Sequence, residues 1–180
     1  ALAHEAAARI LEVYETRFEV ERKDDSSPLT EADLASHHCI VDGLSKLTPQ
    51  IPVLSEESAH QVPLAVRREW TTLWLVDPLD GTREFVKRNG EFTVNIALID
   101  NGVSVFGVIQ QPVTGTLWHG VAGRGAWRRD GGCEVAITTT QSPPSPLRVA
   151  ASRSHRDART QAFLERMGQV EPLAQGSSLK

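Results

Sequence analysis

Two segments near the start of the chain repeat their apolar residues at helical spacing. The first covers residues 1–17; the second begins at Thr30, which resembles a helix N-cap, and stops at Thr48-Pro49. From Phe92 onwards, apolar and polar residues alternate instead, and Asn101-Gly102 is typical of a hairpin turn. These patterns predict helices followed by a large antiparallel sheet.

The pattern changes after residue 140. A Ser/Pro-rich segment comes first, then a strand, a helix over Asp157–Met167 and another strand, and Gly176-Ser177-Ser178 looks like the opening of a further helix. This order predicts an α+β domain over residues 1–140, followed by the beginning of an α/β domain over residues 147–180.

An apolar strand predicted over Leu73–Val76 runs directly into Asp77-Pro78-Leu79-Asp80-Gly81-Thr82. Pro78 cannot donate a backbone hydrogen bond and Gly81 permits a positive φ, so both aspartates and the Leu79 carbonyl could face one point. Oxygen donors of this kind suit Mg²⁺. The alternative is an ordinary strand end followed by a turn.

A second acidic cluster, Glu56-Glu57, follows a short apolar strand predicted over Ile51–Leu54. If that strand neighbours the one before Asp77, Glu56 can join Asp77 and Asp80 at one ion. Otherwise the cluster is a solvated acidic loop.

Asp33 has two interpretations. It follows Thr30 at the spacing of a capping box, which the local sequence favours. Alternatively, it lies beside Thr82, polarises the Thr82 hydroxyl and so helps to position a water molecule.

Composition narrows the function classes. The chain has 180 residues, 40% of them apolar, and a net charge of −4, which gives no basic field for nucleic acid. Cys39 and Cys133 lie far apart, so neither a disulfide framework nor a zinc site is expected. The longest apolar runs are too short to cross a bilayer, and residues 1–14 lack the pattern of a signal peptide.

Taken together, the motif Asp77–Thr82 and the upstream segment Ser55–Ser58 resemble the lithium-sensitive, Mg²⁺-dependent inositol monophosphatase superfamily. The stretch Arg83–Asn95 is similar to the bacterial 3′(2′),5′-bisphosphate nucleotidases of that superfamily, as are Ala151–His155 and Gly176–Lys180. The resemblance implies the layered αβαβα architecture of the sugar phosphatases.

The resemblance also implies a role for each site residue. The implied metal ligands are Glu56, Asp77, the Leu79 carbonyl and Asp80. The implied catalytic residues are Asp33, Thr82 and Glu56, with Asp33 and Thr82 activating water, which reverses the local preference for a cap. The implied substrate-binding residues are Glu56, Leu79, Asp80, Gly81, Thr82, His155, Ser177 and Lys180.

The implied reaction removes the 3′-phosphate of 3′-phosphoadenosine 5′-phosphate, with two or more Mg²⁺ ions, and yields AMP and phosphate for sulfate assimilation. The implied partner is thus a small nucleotide, and the implied location is the cytoplasm, with peripheral association at the inner membrane left open. A further metal-ligand aspartate, in a Trp-Asp-x-Ala-Ala-Gly segment, is expected after Lys180, so the chain is expected to be either part of a longer protein or a truncated relative.

Two rival functions stay open at this point. An inositol phosphatase or a broader sugar phosphatase would share the metal site and differ in the substrate pocket. A non-catalytic domain that binds metal or anions would share only part of the site.

Overall fold

A computed structural model describes residues 1–15, 21–22, 28–29, 31–153 and 157–180. Within these ranges, no helix is both long enough and apolar enough to cross a membrane. The N-cap expected at Thr30 and the substrate contact expected at His155 lie outside them.

The described elements alternate between helices and strands at both ends of the chain. The helices are α1 (Leu2–Tyr14), α2 (Glu31–Leu47), α3 (Leu64–Arg68), α4 (Thr82–Val86) and α5 (Ala158–Arg166). The strands are β1 (Glu21–Arg22), β2 (Pro28–Leu29), β3 (Val53–Ser55), β4 (Thr72–Asp80), β5 (Thr93–Asp100), β6 (Val103–Gln110), β7 (Leu117–Val121), β8 (Gly125–Asp130), β9 (Cys133–Ile137), β10 (Leu147–Ser152) and β11 (Val170–Gln175).

The first two helices pack against each other and against the sheet. Helix α1 buries Ala3, Ala6, Ala7 and Ile10, which lie on one face at helical spacing, as the sequence predicts. The small side chains allow a close approach to α2. At Gly43 of α2, a Cβ atom would lie 2.4 Å from Leu2 Cδ1 of α1.

Strands β3 to β9 form one seven-stranded sheet in sequence order. The hairpins from β4 to β9 are antiparallel, as predicted, but β3 pairs with β4 in parallel. The antiparallel sheet predicted from the hairpins therefore has one further strand, β3, which is parallel to its neighbour. The sequence between the two strands, which includes α3, provides the crossover that a parallel pair requires.

The core lies between α1, α2 and one face of the sheet. Trp74 and Val76 of β4, together with Val94 and Ile96 of β5, turn their side chains into it. Leu75, on the opposite face of β4, is exposed, as the period of two along a strand requires. The α+β class predicted from the sequence is confirmed.

The last elements form a separate strand–helix–strand unit. Strands β10 and β11 pair in parallel, and α5 connects them, with the Asp157 side chain accepting from the Thr160 amide at 2.7 Å as its N-cap. The helix predicted to open at Gly176 is only a 3₁₀ turn over Ser177–Leu179. The division into domains at residues 1–140 and 147–180 stays a prediction.

Candidate active site

The parallel pairing of β3 and β4 places their ends at the same edge of the sheet. Ser55 is in register with Val76, so the next residues along the chain lie side by side, Glu56 just after β3 and Asp77 within β4. Glu56 begins a 3₁₀ helix that continues to Gln61. Glu56 was predicted to join the aspartates if the two strands are neighbours. The structure shows that they are.

Strand β4 does not stop at Val76, as the sequence suggested, but continues to Asp80 with a bulge. Asp77 pairs with Asn95 and Asp80 pairs with Thr93, so two residues of β4 have no partner in the register between them. One of these is Pro78, which has no amide hydrogen to leave unsatisfied. The bulge places the two aspartates at the edge of the sheet without ending the ladder.

The Asp77 carboxyl group is buried beside other acidic residues. Its Oδ1 atom is buried and has no hydrogen-bond partner among the described residues. Burial and the nearby carboxylates of Glu56, Asp80 and Asp33 raise the pKa of Asp77 to about 8. These are the four acidic residues that the sequence singled out, and the structure brings them together.

The predicted pair of Asp33 and Thr82 lies beside this group. Asp33 is only 2% exposed. The Thr82 hydroxyl lies 3.5 Å from the Leu79 carbonyl oxygen, to which it donates. Orientation of Thr82 by Asp33 stays a prediction, and so does the alternative capping role of Asp33, because Thr30 lies outside the described residues.

Two serines from the end of the chain bind Asp80. Ser177 Oγ donates to Asp80 Oδ2 at 2.7 Å, and Ser178 Oγ donates to the same oxygen at 2.6 Å. Asn95 Nδ2 in turn donates to Ser178 Oγ at 3.0 Å. The Lys180 ammonium donates to the Ser177 carbonyl. The predicted nucleotide-binding residues Ser177 and Lys180 therefore lie at the site, and their contact with a nucleotide stays a prediction.

Gly81 follows β4 directly and packs closely against the 3₁₀ turn at Ser177. Its φ is +93°, and a Cβ atom there would lie 3.0 Å from Ser177 Cβ and 3.1 Å from the Glu91 carbonyl oxygen. Both the backbone angle and the space thus require glycine.

We expect Gly81→Ala to lower the free energy of unfolding by more than Gly102→Ala, which is its matched control. Gly102 also has a positive φ, but nothing lies within 4 Å of its added Cβ. Both variants lose about 1–2 kcal/mol to backbone strain, and Gly81→Ala loses more because Ser177 or the backbone must shift. Urea unfolding measures the difference, and equal losses would show that the contact with Ser177 does not matter.

Several site residues have no clear signal in the sequence. Ser36 Oγ donates to the Pro78 carbonyl at 2.8 Å, and His37 Nδ1 lies 2.8 Å from Ser55 Oγ. These polar residues lie on the buried face of α2, where the helical periodicity alone would indicate core positions. A polar residue at a core position of a helix is the signal that could have identified them.

Arg153 lies in the Ala151–His155 stretch that resembles the bisphosphate nucleotidases, and it binds a carboxylate. Its guanidinium donates to both oxygens of Glu91, at 2.8 and 2.6 Å, and the Gly176 amide donates to Glu91 as well. The hydrogen bonds from Arg153 hold the pKa of Glu91 below its usual value. This pair connects the end of β10 to the loop before β5.

The donor set at Asp77 fits a divalent cation. The side chains as placed do not close into a group of three or more metal ligands within the described ranges, and Asp80 Oδ2 accepts hydrogen bonds from two serines. However, carboxylates converge on a buried Asp77 oxygen that no donor satisfies. A divalent cation would offset this repulsion and supply the missing partner.

The comparisons with known proteins agree with this geometry. The model of the inositol monophosphatase family matches residues 1–178. The 3′(2′),5′-bisphosphate nucleotidase CysQ of Escherichia coli O6:H1 is 47% identical over 181 residues, which cover 99% of this chain and 72% of that protein. The CysQ protein of Buchnera aphidicola is 40% identical over 99% of this chain and 67% of its own length.

Solved structures show the same relationship. The crystal structure of CysQ from Bacteroides thetaiotaomicron, a bacterial member of the inositol monophosphatase family, superposes with a TM-score of 0.81 and 40% identity, over 99% of this chain and 71% of that one. The suhB protein of Bartonella henselae superposes with a TM-score of 0.75 and 26% identity, over 98% and 68%. This chain belongs to the inositol monophosphatase family.

Proposed function

We propose that the chain is a metal-dependent phosphomonoesterase that removes the 3′-phosphate of 3′-phosphoadenosine 5′-phosphate and yields AMP and phosphate. The observation that carries the chemistry is the register of β3 and β4, which places Glu56 beside the buried carboxyl group of Asp77, whose pKa is raised by burial and by Glu56, Asp80 and Asp33. The choice of substrate is supported by the 47% identity to a 3′(2′),5′-bisphosphate nucleotidase over 99% of the chain.

The proposed metal ligands are Glu56, Asp77, Asp80 and the Leu79 carbonyl, which would hold two or more Mg²⁺ ions. Bound divalent cations supply positive charge against the phosphoryl oxygens and the leaving oxygen. Hard oxygen donors favour Mg²⁺ over softer metals. The family relationship supports a requirement for a metal.

Thr82 and Asp33 have the proposed role of accepting a proton from the attacking water. The Thr82 hydroxyl lies at the start of α4, next to the Asp77–Asp80 bulge, and Asp33 faces the same edge from α2. The water oxygen bonds to phosphorus as the bond to the 3′-oxygen breaks, and the departing oxygen takes up a proton. Leu79 to Thr82 would contact the phosphate during this step.

Ser177, Lys180 and His155 are the proposed contacts of the nucleotide. The two serine hydroxyls on Asp80 support this placement, because they bring the end of the chain next to the proposed phosphate position. The proposed substrate is a dissolved small molecule, and the proposed location is the cytoplasm.

Release of phosphate from two substrates tests the proposal. With Mg²⁺ present, we expect kcat/KM for 3′-phosphoadenosine 5′-phosphate to exceed that for inositol 1-phosphate by at least about 100-fold, as sites that bind the polar groups of one substrate can discriminate by more. EDTA should abolish both activities. Equal rates would favour a broad sugar phosphatase, and Mg²⁺ binding without turnover of either ester would favour a non-catalytic domain.

A further inference from the structure

Helix α2 carries three buried polar residues on the face that it turns toward the site. Asp33, Ser36 and His37 are 2%, 0% and 9% exposed and lie at the i, i+3 and i+4 spacing of one helix face. Elsewhere on this helix the buried positions include Ile40 and Leu44. Because burial of a polar group is costly unless it is hydrogen-bonded, these three residues need partners.

Ser36 has its partner in the bulge of β4. Its hydroxyl donates to the Pro78 carbonyl at 2.8 Å. Pro78 lies between Asp77 and Asp80, where the register of β4 against β5 shifts. The hydrogen bond therefore holds Pro78, which lies between the two aspartates and has no partner residue in the register with β5.

His37 has its partner at the end of β3. Its Nδ1 atom lies 2.8 Å from Ser55 Oγ, and Ser55 is fully buried. Glu56 is the next residue, where the strand changes into a 3₁₀ helix. Burial lowers the pKa of His37, and a neutral imidazole has one donor and one acceptor nitrogen, which suits a single hydroxyl partner.

We propose that Ser36 and His37 are positioning residues. From one face of α2, Ser36 fixes the Asp77–Asp80 bulge, and His37 fixes the start of the 3₁₀ helix at Glu56. The carboxylates thereby keep the spacing that a shared divalent cation needs. The inference rests on the proposed metal-dependent activity. Helix α2 thus bonds to the residue before Glu56 and to the residue after Asp77, in addition to the pairing of β3 with β4. Groups that orient metal ligands through hydrogen bonds commonly have large effects on metal affinity.

Two pairs of variants test the positioning role in the otherwise intact chain. Ser36→Ala removes the hydroxyl, and Ser45→Ala, on the exposed side of the same helix, is its matched control. His37→Leu removes the imidazole, and His37→Asn restores a polar amide near the position of Nδ1. Titration calorimetry with MgCl₂ measures metal affinity without substrate, and steady-state kinetics separate kcat from KM.

We expect Ser36→Ala and His37→Leu each to weaken Mg²⁺ binding by about 10-fold and to lower kcat at fixed Mg²⁺ while KM changes little. Ser45→Ala should behave as wild type, and His37→Asn should recover most of the affinity. If Ser36→Ala and His37→Leu fold and bind Mg²⁺ like wild type, the positioning role is wrong, whatever the substrate proves to be.

Different results would refute the proposed function and the positioning role. A wild-type protein that binds Mg²⁺ but hydrolyses no phosphate ester would refute the proposed function, and the calorimetric comparison would still decide the positioning role. A wild-type protein that binds no Mg²⁺ would overturn both. Should Ser36→Ala fail to fold, the pair His37→Leu and His37→Asn gives the same decision.

Discussion

Asp77→Asn is expected to lower kcat by at least about three orders of magnitude while the fold is retained. Metal ions supply several kcal/mol of charge stabilisation in the transition state, and each 1.36 kcal/mol corresponds to a factor of ten in rate. Asparagine has the shape of a protonated aspartate, the form that the raised pKa of Asp77 favours at pH 7 without metal. The substitution therefore removes a metal ligand with little change in packing.

Phosphate release under saturating Mg²⁺ and substrate measures this loss, and circular dichroism confirms the fold. Asp42→Asn makes the same chemical change at an exposed position of α2 and should keep full activity. Near-normal turnover by Asp77→Asn would remove Asp77 from the metal site. A loss of activity accompanied by unfolding would instead assign Asp77 a structural role, which its unsatisfied buried oxygen argues against.

The local sequence predicted the central motif well because its chemistry is local. Pro78 and Gly81 restrict or relax the backbone by themselves, so a break in regular pairing could be placed between Asp77 and Thr82 without the fold. The structure realises that break as a bulge within β4 and a positive φ at Gly81. The turn is thus encoded by the residues that form it.

The orientation of β3 could not be predicted from its own residues. A strand of three residues, Val53–Ser55, shows no pattern that distinguishes a parallel from an antiparallel neighbour. Its direction follows from the connection through α3 and from burial against α2, which are properties of the whole fold. The meeting of Glu56 with Asp77 depends on this direction, so the sequence could state it only as a condition.

Contacts between residues far apart in the sequence could not be predicted either. Ser178 and Asp80 lie 98 positions apart, and no periodicity relates them. The sequence predicted the opening of a helix at Gly176-Ser177-Ser178 and gave no sign that the two serine hydroxyls bind a carboxylate. Arg153 similarly pairs with Glu91 across 62 positions. Such partners are chosen by tertiary packing, which local patterns do not encode.

Without divalent cations, the protein should lose stability as the pH rises from about 4 to about 8. In this window the native state keeps the proton of Asp77, whose pKa is raised from 3.8 to about 8, whereas the unfolded chain releases it. The native state then binds more protons than the unfolded state, so the free energy of unfolding falls with pH. This one group contributes at most about 1.4 kcal/mol per pH unit.

Mg²⁺ should reverse this dependence, because a cation replaces the proton and offsets the repulsion from Glu56, Asp80 and Asp33. A ligand that binds only the native state stabilises it, and the increase in urea midpoint on adding Mg²⁺ should be larger at pH 8 than at pH 6. Urea unfolding across this range, with EDTA or with MgCl₂, measures both effects. The difference between wild type and Asp77→Asn isolates the contribution of Asp77, since other titrating groups are common to both. An equal pH slope in the two proteins with EDTA would show that Asp77 ionises normally, and the carboxylates would then not converge closely enough to hold a cation.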